Sequence, residues 1–284
     1  MVDLESEDGT VTTLAPIIFR AILAHYPYVD PKLQHGSLEL LWQAGANPNV
    51  ISVSSTGREV SPLMVACESC CSLASARMLL AHGCDPWQKT AAGRTALHTA
   101  ARKGCLDACK LLLNAAGSEP DVRDSHDCTP LAEAVRKGHL AVVELMHKQH
   151  GCDVMTRDQN GTTLLHAAAA KAGPPVIEYL LRNGLDIEAV ELPRSNTPVF
   201  VAAECGNAAA VQTLLEHGAS TTAVNSTGQS LLFAALRRGN GSVVDALLSS
   251  SSAQPAVDVN AKTATGHAAL DVAVLNDHTG VLAD

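Results

Sequence analysis

The fold of this chain is clearest in residues 129–145, which read TPLAEAVRKGHLAVVEL. Thr129 suits a helix N-cap, because its hydroxyl can accept a hydrogen bond from an unpaired backbone N–H of the first turn. Pro130 fits the first helical position, where its missing N–H costs nothing. Gly138 interrupts the helix, and the apolar residues beyond it recur at helical spacing. The stretch therefore predicts a helix, a turn and a second helix.

The same phrase recurs along the chain at nearly constant spacing. Its capping residues, which follow one another at intervals of 34, 34, 34, 34 and 33 residues, are Ser61, Thr95, Thr129, Thr163, Thr197 and Ser230. A second series of glycines suits the ends of the second helices: Gly83, Gly117, Gly151, Gly184 and Gly218. A fixed period of this length predicts stacked units that cannot bury their apolar faces alone. The polar stretches between units, such as residues 157–161, indicate hairpin-like fingers.

These residues resemble the ankyrin repeat, whose consensus joins a Thr-Pro-Leu-His cap, Ala-Ala, a mid-unit glycine, a Leu-Leu pair and Gly-Ala-Asp. Residues 129–143 and 214–219 match it well, and the resemblance runs from about Ser37 to the C-terminus. It implies an all-α solenoid of about seven to eight helix-turn-helix repeats with fingers, which binds another protein and is not an enzyme. It also implies that His98 and His166, in the fourth motif position, hydrogen-bond within the cap and across to the neighbouring repeat.

The repeat pattern divides the chain into four segments. We expect an acidic tail over 1–13, an N-terminal capping repeat over 14–52, six repeats over 53–261 and a truncated C-terminal repeat over 262–284. An inserted loop is expected around Ile51–Val60, since the spacing there exceeds one period. No basic segment followed by an apolar core opens the chain, and no apolar run approaches 18 residues, so we expect neither a signal peptide nor a membrane span.

Candidate metal-binding and catalytic groups are weak. Two clusters could bind an ion: Cys67, Cys70 and Cys71, and His147, His150 and Cys152. Neither completes the four-ligand set of a structural zinc site, and no phosphate-binding loop or nucleophile elbow is present. We therefore expect no catalysis, no cofactor and no metal. The nine cysteines are scattered through the repeats, which predicts reduced thiols and a cytoplasmic, or nuclear, location.

Basic residues at the fingers and first-helix ends indicate a binding surface. Although the net charge is −9, nine of the 20 Lys and Arg residues are predicted to converge on one concave stretch: Lys89, Arg94, Arg102, Lys103, Arg123, Arg136, Lys137, Arg157 and Lys171. Such a surface favours a partner protein with an acidic helix or peptide. The repeat consensus also favours Arg or Lys before the mid-unit glycine, which offers a purely structural explanation.

Other functions are weighed against this one. The chain stops at Asp284, within an expected second helix, so it could also be the targeting or regulatory segment of a larger enzyme, such as a ubiquitin ligase or kinase. Nucleic-acid binding is disfavoured, because aromatic residues make up only 3% of the chain and no base-reading motif is present. We expect a monomer. The identity of the partner is not contained in the sequence.

Overall fold

The computed structural model describes residues 39–40, 42–43, 45–53, 57–68, 73–115, 117, 119–249, 257–260, 262–263, 266–268, 271–272 and 274. The predicted acidic tail, the first helix of the capping repeat and the final second helix lie outside these residues. By their contacts, the residues form two compact units, Met1–Ser125 and His126–Asp284, here called the first and second units.

The first unit contains a short hairpin and two helix pairs. Strands β1 (Ser52–Val53) and β2 (Glu59–Val60) are antiparallel, with Ser52 opposite Val60. The helices that follow are α1 (Pro62–Glu68), α2 (Leu73–Ala81), α3 (Ala96–Lys103) and α4 (Leu106–Leu113). First helices α1 and α3 pack together, as do second helices α2 and α4. The stretch expected to be an inserted loop thus begins and ends in paired strands.

The second unit continues the same helical alternation. Its helices are α5 (Pro130–Lys137), α6 (Leu140–Glu144, continued by a π-helical turn over Leu145–Gln149), α7 (Leu164–Lys171), α8 (Pro174–Arg182), α9 (Pro198–Cys205), α10 (Ala208–Glu216), α11 (Leu231–Arg237) and α12 (Gly241–Ser249). First helices α5, α7, α9 and α11 pack in order into one layer, and second helices α6, α8, α10 and α12 pack into another. The all-α helix-turn-helix repeat fold is confirmed.

Small buried residues allow the close packing of the first helices. The alanines at the centre of this layer, Ala134, Ala168, Ala202 and Ala235, are fully buried, and leucines and valines from the second helices complete the core. Several of the predicted caps form as well, whereas the Thr197 hydroxyl makes no capping hydrogen bond. The Thr129 hydroxyl accepts from the backbone N–H of Ala132 at 3.2 Å, and the Ser230 hydroxyl accepts from that of Phe233 at 3.3 Å.

One mid-unit glycine behaves differently from the others. Gly104, Gly138 and Gly206 end their helices with φ between 74° and 79°, in the left-handed region that glycine adopts readily. Gly173 instead has φ −86° and ψ 169°, and α7 ends through an extended Ala172. The reason is local, because Gly173 precedes Pro174 and a residue before proline avoids the helical region. Gly173 thus still follows the end of its first helix, but without the left-handed conformation of the other mid-unit glycines.

The fingers are closed hairpins that bond to one another within the second unit. Their closing bridges are Arg157 with Thr163, Glu191 with Asn196, Val224 with Ser230 and Lys262 with Ala268. Between neighbouring fingers, the Leu192 N–H donates to the Asn160 carbonyl and the Ser226 N–H donates to the Arg194 carbonyl, both at 2.8 Å. The fingers are thus tied together through their backbones.

Membrane insertion was also considered. Within the described part of the chain, no helix combines the length and the apolar character that crossing a bilayer requires.

Candidate functional site

A cleft of about 290 Å³ opens in the second unit between the fingers and the first helices. Its floor is apolar and consists of small side chains from α5, α7 and α9: Ala132, Ala167, Ala170 and Val201. All four are half-buried, so the layer of first helices leaves part of their surface exposed to the cleft. Polar finger residues form the facing wall, which includes Thr156, Asp158 and Thr162.

Two of the predicted basic residues line this cleft. Arg136 at the end of α5 forms an ion pair with Glu133, whose side chain is fully buried one turn earlier in the same helix. Arg157 is exposed in the finger, and its guanidinium donates to the Gly161 carbonyl at 3.1 Å. Both arginines are therefore held in place by contacts within the protein.

Carboxylates also reach the cleft, and they hold the fingers in shape. Asp158 Oδ1 accepts from the backbone N–H groups of Asn160 and Thr162, both at 2.9 Å. Glu191 accepts from the Asn196 amide at 3.1 Å and from the Thr162 hydroxyl at 3.3 Å. The cleft wall thus carries both signs of charge, and its acidic groups are already engaged in hydrogen bonds.

Lys137 and Lys171 occupy a different place from the cleft arginines. Each is the last residue of a first helix, α5 or α7, and each is exposed. Within the part of the chain that the structure describes, neither forms an ion pair with a carboxylate. Cationic groups at a helix C-terminus also suit the helix dipole.

The sequence analysis missed a second group of basic residues. Arg237 at the end of α11 forms an ion pair with Glu204 on α9, and Arg194 of the neighbouring finger lies 3.6 Å from the same carboxylate. Arg238 follows and is exposed. The signal was available, since Arg237 and Arg238 stand 101 residues after Arg136 and Lys137, the sum of three cap intervals.

In the first unit, two predicted arginines are ion-paired with acidic residues. Arg94 lies 3.2 Å from the buried carboxylate of Asp124, and Arg102 lies 3.1 Å from Glu68, which ends the preceding first helix. The other predicted residues of this unit are exposed: Lys89, Lys103 and Arg123. Contact of any of the nine residues with a partner stays a prediction.

Both capping histidines form the hydrogen bond within the cap that the resemblance implied, and His166 also forms the one to the neighbouring repeat. Nδ1 of His98 accepts from the Thr95 backbone N–H at 3.2 Å, and Nδ1 of His166 accepts from that of Thr163 at 3.3 Å. Nε2 of His166 then donates across the repeat boundary to the Asn196 carbonyl at 3.0 Å. Burial lowers the pKa of His166, the hydrogen bond to Asn196 opposes this shift, and the imidazole is therefore held neutral.

The structure describes the surroundings of three candidate metal ligands, Cys67, His147 and Cys152. Burial raises the pKa of the Cys67 thiol to about 12, and Cys70 and Cys71 lie outside the described residues. The π-helical turn brings His147 Nδ1 within 2.8 Å of the Tyr179 hydroxyl, while Cys152 is buried and is not disulfide-bonded.

One cysteine contradicts the expectation of a fully reduced set. Cys105 is disulfide-bonded. The described cysteines that are not disulfide-bonded are Cys67, Cys84, Cys109, Cys128, Cys152 and Cys205.

These features define a repeat protein whose first helices and fingers offer an open face. A family model described as ankyrin repeats (3 copies) matches four overlapping stretches, residues 33–124, 63–158, 131–225 and 199–283. The chain belongs to the ankyrin-repeat family.

A solved structure extends the comparison. The crystal structure of the human ASB11 ankyrin repeat domain is similar to this chain, with a TM-score of 0.65 and 26% sequence identity, over 78% of this chain and 97% of that one. No curated protein matches the chain. Ankyrin-repeat domains generally bind other proteins and are typically non-enzymatic.

Proposed function

We propose that this chain is a non-enzymatic adaptor that binds an acidic segment of another protein through the fingers and first helices of its second unit. The observation that carries the proposal is the cleft, whose alanine floor is left partly uncovered while its walls are fixed by backbone and side-chain hydrogen bonds. A surface ordered before docking loses little conformational entropy when the partner binds.

The size and lining of the cleft favour a peptide segment over a cofactor. A volume of about 290 Å³ is at the lower end of small-molecule sites, which are mostly apolar and aromatic. This cleft has small aliphatic side chains on the floor and charged groups at the rim. It can accept one or two side chains of a partner, with Arg136 and Arg157 beside them.

The proposal is tested by filling the cleft. Ala170→Trp places a large ring on the floor, and Ala209→Trp places the same ring on an exposed position of α10 as a matched control. Affinity purification with quantitative mass spectrometry should identify a protein that wild type and Ala209→Trp retain and that Ala170→Trp loses. Circular dichroism and melting curves show that both variants are folded. Capture of the same proteins by all three forms would place recognition away from the cleft.

A further inference from the structure

The last position of the first helix, or the residue directly after it, carries one exposed cation in three repeats of the second unit. These residues are Lys137, Lys171 and Arg238, and the fourth equivalent position holds Cys205. Among the described residues, none of the three cations forms an ion pair with a carboxylate. In the chain, the four positions follow one another at intervals of 34, 34 and 33 residues. They are called the ladder positions below.

The neighbouring arginines are already neutralised. Arg136 is paired with Glu133, and Arg237 is paired with Glu204. An acidic partner would have to compete with these internal carboxylates for the two guanidinium groups. The cations available to a partner at the helix ends are therefore those at the ladder positions.

The second-helix face of this unit has the opposite character. Lys148 is paired with Glu144 at 2.9 Å and Arg182 with Glu178 at 2.8 Å, while Glu216 on α10 is exposed. Asp245 on α12 is exposed as well. An acidic segment would thus be attracted to the helix ends and repelled from the second helices.

Cys205 interrupts the ladder with a neutral group. Burial raises the pKa of its thiol above the ordinary value, and Glu204, Lys171, Arg238 and Glu191 are close enough to act on that pKa. Cys205 thus stands between Lys171 and Arg238 in the series of ladder positions. A partner carboxylate beside Cys205 would find no cation at that ladder position and would lie near Glu204, so it should add less to binding than one beside Lys171 or Arg238.

The spacing of packed helices converts this pattern into a peptide register. Neighbouring first helices lie about 10 Å apart. A peptide in the polyproline II conformation advances about 3.1 Å per residue and completes one turn every three residues, so one repeat corresponds to about three residues and side chains three apart share one face. A helical partner advances about 1.5 Å per residue and would need acidic residues about seven apart.

We propose that the second unit binds an acidic peptide in the polyproline II conformation, with carboxylates at positions i, i+3 and i+9 and a neutral residue at i+6. Run in the opposite chain direction, the same pattern is i, i+6 and i+9 with a neutral residue at i+3. This register rests on the proposed adaptor function and specifies the chemistry of its partner.

The test uses the full chain and fluorescein-labelled ten-residue peptides of serine and alanine that carry three glutamates. Fluorescence anisotropy should show that one of the two register peptides binds about tenfold tighter than a peptide with three adjacent glutamates. Exposed ion pairs contribute about 1.5- to 5-fold each, so three correctly placed pairs give a difference of this size. The difference should shrink as NaCl is raised, because salt screens exposed charges.

Charge exchange tests the register itself. Lys171→Glu should weaken binding about tenfold or more, and a peptide with lysine in place of the facing glutamate should restore it. Arg182→Glu, on the second-helix face, is the matched control and should leave binding within twofold. Cys205→Lys adds a cation to the ladder. A peptide with a fourth glutamate at the position that faces residue 205 should therefore bind this variant more tightly than the three-glutamate peptide does, whereas the fourth glutamate should not tighten binding to wild type.

Several results would overturn the register. These are equal binding of the adjacent-glutamate peptide, failure of the exchanged pair to restore binding, tighter binding of a helical peptide with seven-residue spacing, or tighter binding of a single-stranded oligonucleotide. The two proposals fail separately. If Ala170→Trp loses a cellular partner while no peptide follows the register, the adaptor function stands and the register is wrong.

Discussion

At the scale of single residues, His166 links the stability of the fold to pH. Its folded-state pKa is lowered, first by burial, so the folded protein resists a proton that the unfolded chain accepts. Stability from this group is complete above the unfolded pKa of about 6.5 and is lost as pH falls toward the folded value. Urea unfolding at pH 8 and pH 5.5 should show a lower free energy of unfolding at pH 5.5.

The variant His166→Ala isolates this contribution, since Ala132 occupies the equivalent position in another repeat. The variant should be less stable than wild type at pH 8, because it loses both hydrogen bonds of the imidazole. The gap between the two proteins should narrow at pH 5.5. A gap that is the same at both pH values would mean that His166 titrates as it does in the unfolded chain.

Asn207 connects two repeats through one side chain. Its amide nitrogen donates to the carbonyls of Ala169 and Ala172 at 3.1 and 3.0 Å, and its oxygen accepts from the Ala210 N–H at 3.2 Å. Asn207→Ala should lower the free energy of unfolding by about 2 kcal/mol, since each bond contributes about 0.5–1.5 kcal/mol and the carbonyls that end α7 lose their partners. Denaturant melts measure this loss.

The matched control is Asn160→Ala at an exposed finger position, where the expected change is within about 0.5 kcal/mol. Equal losses in the two variants would show that the bonds of Asn207 add nothing beyond the ordinary effect of an asparagine substitution.

At the scale of elements, the finger 191–196 turns without a glycine. Ser195 has φ 54°, in the region where Gly161 of the preceding finger has φ 72°. A side chain in this region costs about 1–2 kcal/mol of stability. Replacement by glycine removes that cost, but the greater freedom of glycine in the unfolded chain offsets part of the gain. Ser195→Gly should therefore stabilise the protein by about 0.5–1 kcal/mol.

The reverse exchange, Gly161→Ser, should destabilise the protein by about 1 kcal/mol. A Cβ at this position meets no atom within 4 Å, so only backbone conformation is tested. Differential scanning calorimetry of both variants gives the comparison. A lower melting temperature for Ser195→Gly would mean that the serine stabilises its turn by other contacts.

What the sequence predicted well was local. Caps, helix pairs and closing glycines depend on residues within a few positions of one another, so the repeated phrase was sufficient to place them. The extended conformation of Gly173 depends on the proline after it, so it departs from the pattern that the other repeats share. The ion pairs of Arg102 and Arg237 join neighbouring repeats, so the sequence analysis identified cations at helix ends without identifying which of them were already neutralised.

At the scale of the whole molecule, stability should follow the number of neighbours that each helix has. Helices α7 and α9 each pack against first helices on both sides, whereas the main contacts of α12 with other described helices are those with α10 and α11. Hydrogen exchange measured by mass spectrometry should be slowest in α7 and α9 and faster in α12. The opposite order, measured on the isolated protein, would contradict a stack whose stability comes from nearest-neighbour contacts.

The ion pair between Arg237 and Glu204 joins one first helix to the one before it, as does the pair between Arg102 and Glu68. Suppose that recombination removed the repeat that contains Glu204. This deletion of one period would keep the spacing of the remaining caps. Arg237 would then follow Ala170 and face no carboxylate at that position. The repeats share one backbone geometry, but a repeat that carries Arg102 or Arg237 would lose its ion pair if it followed a different neighbour. The order of the repeats along the chain thus affects which charges are paired.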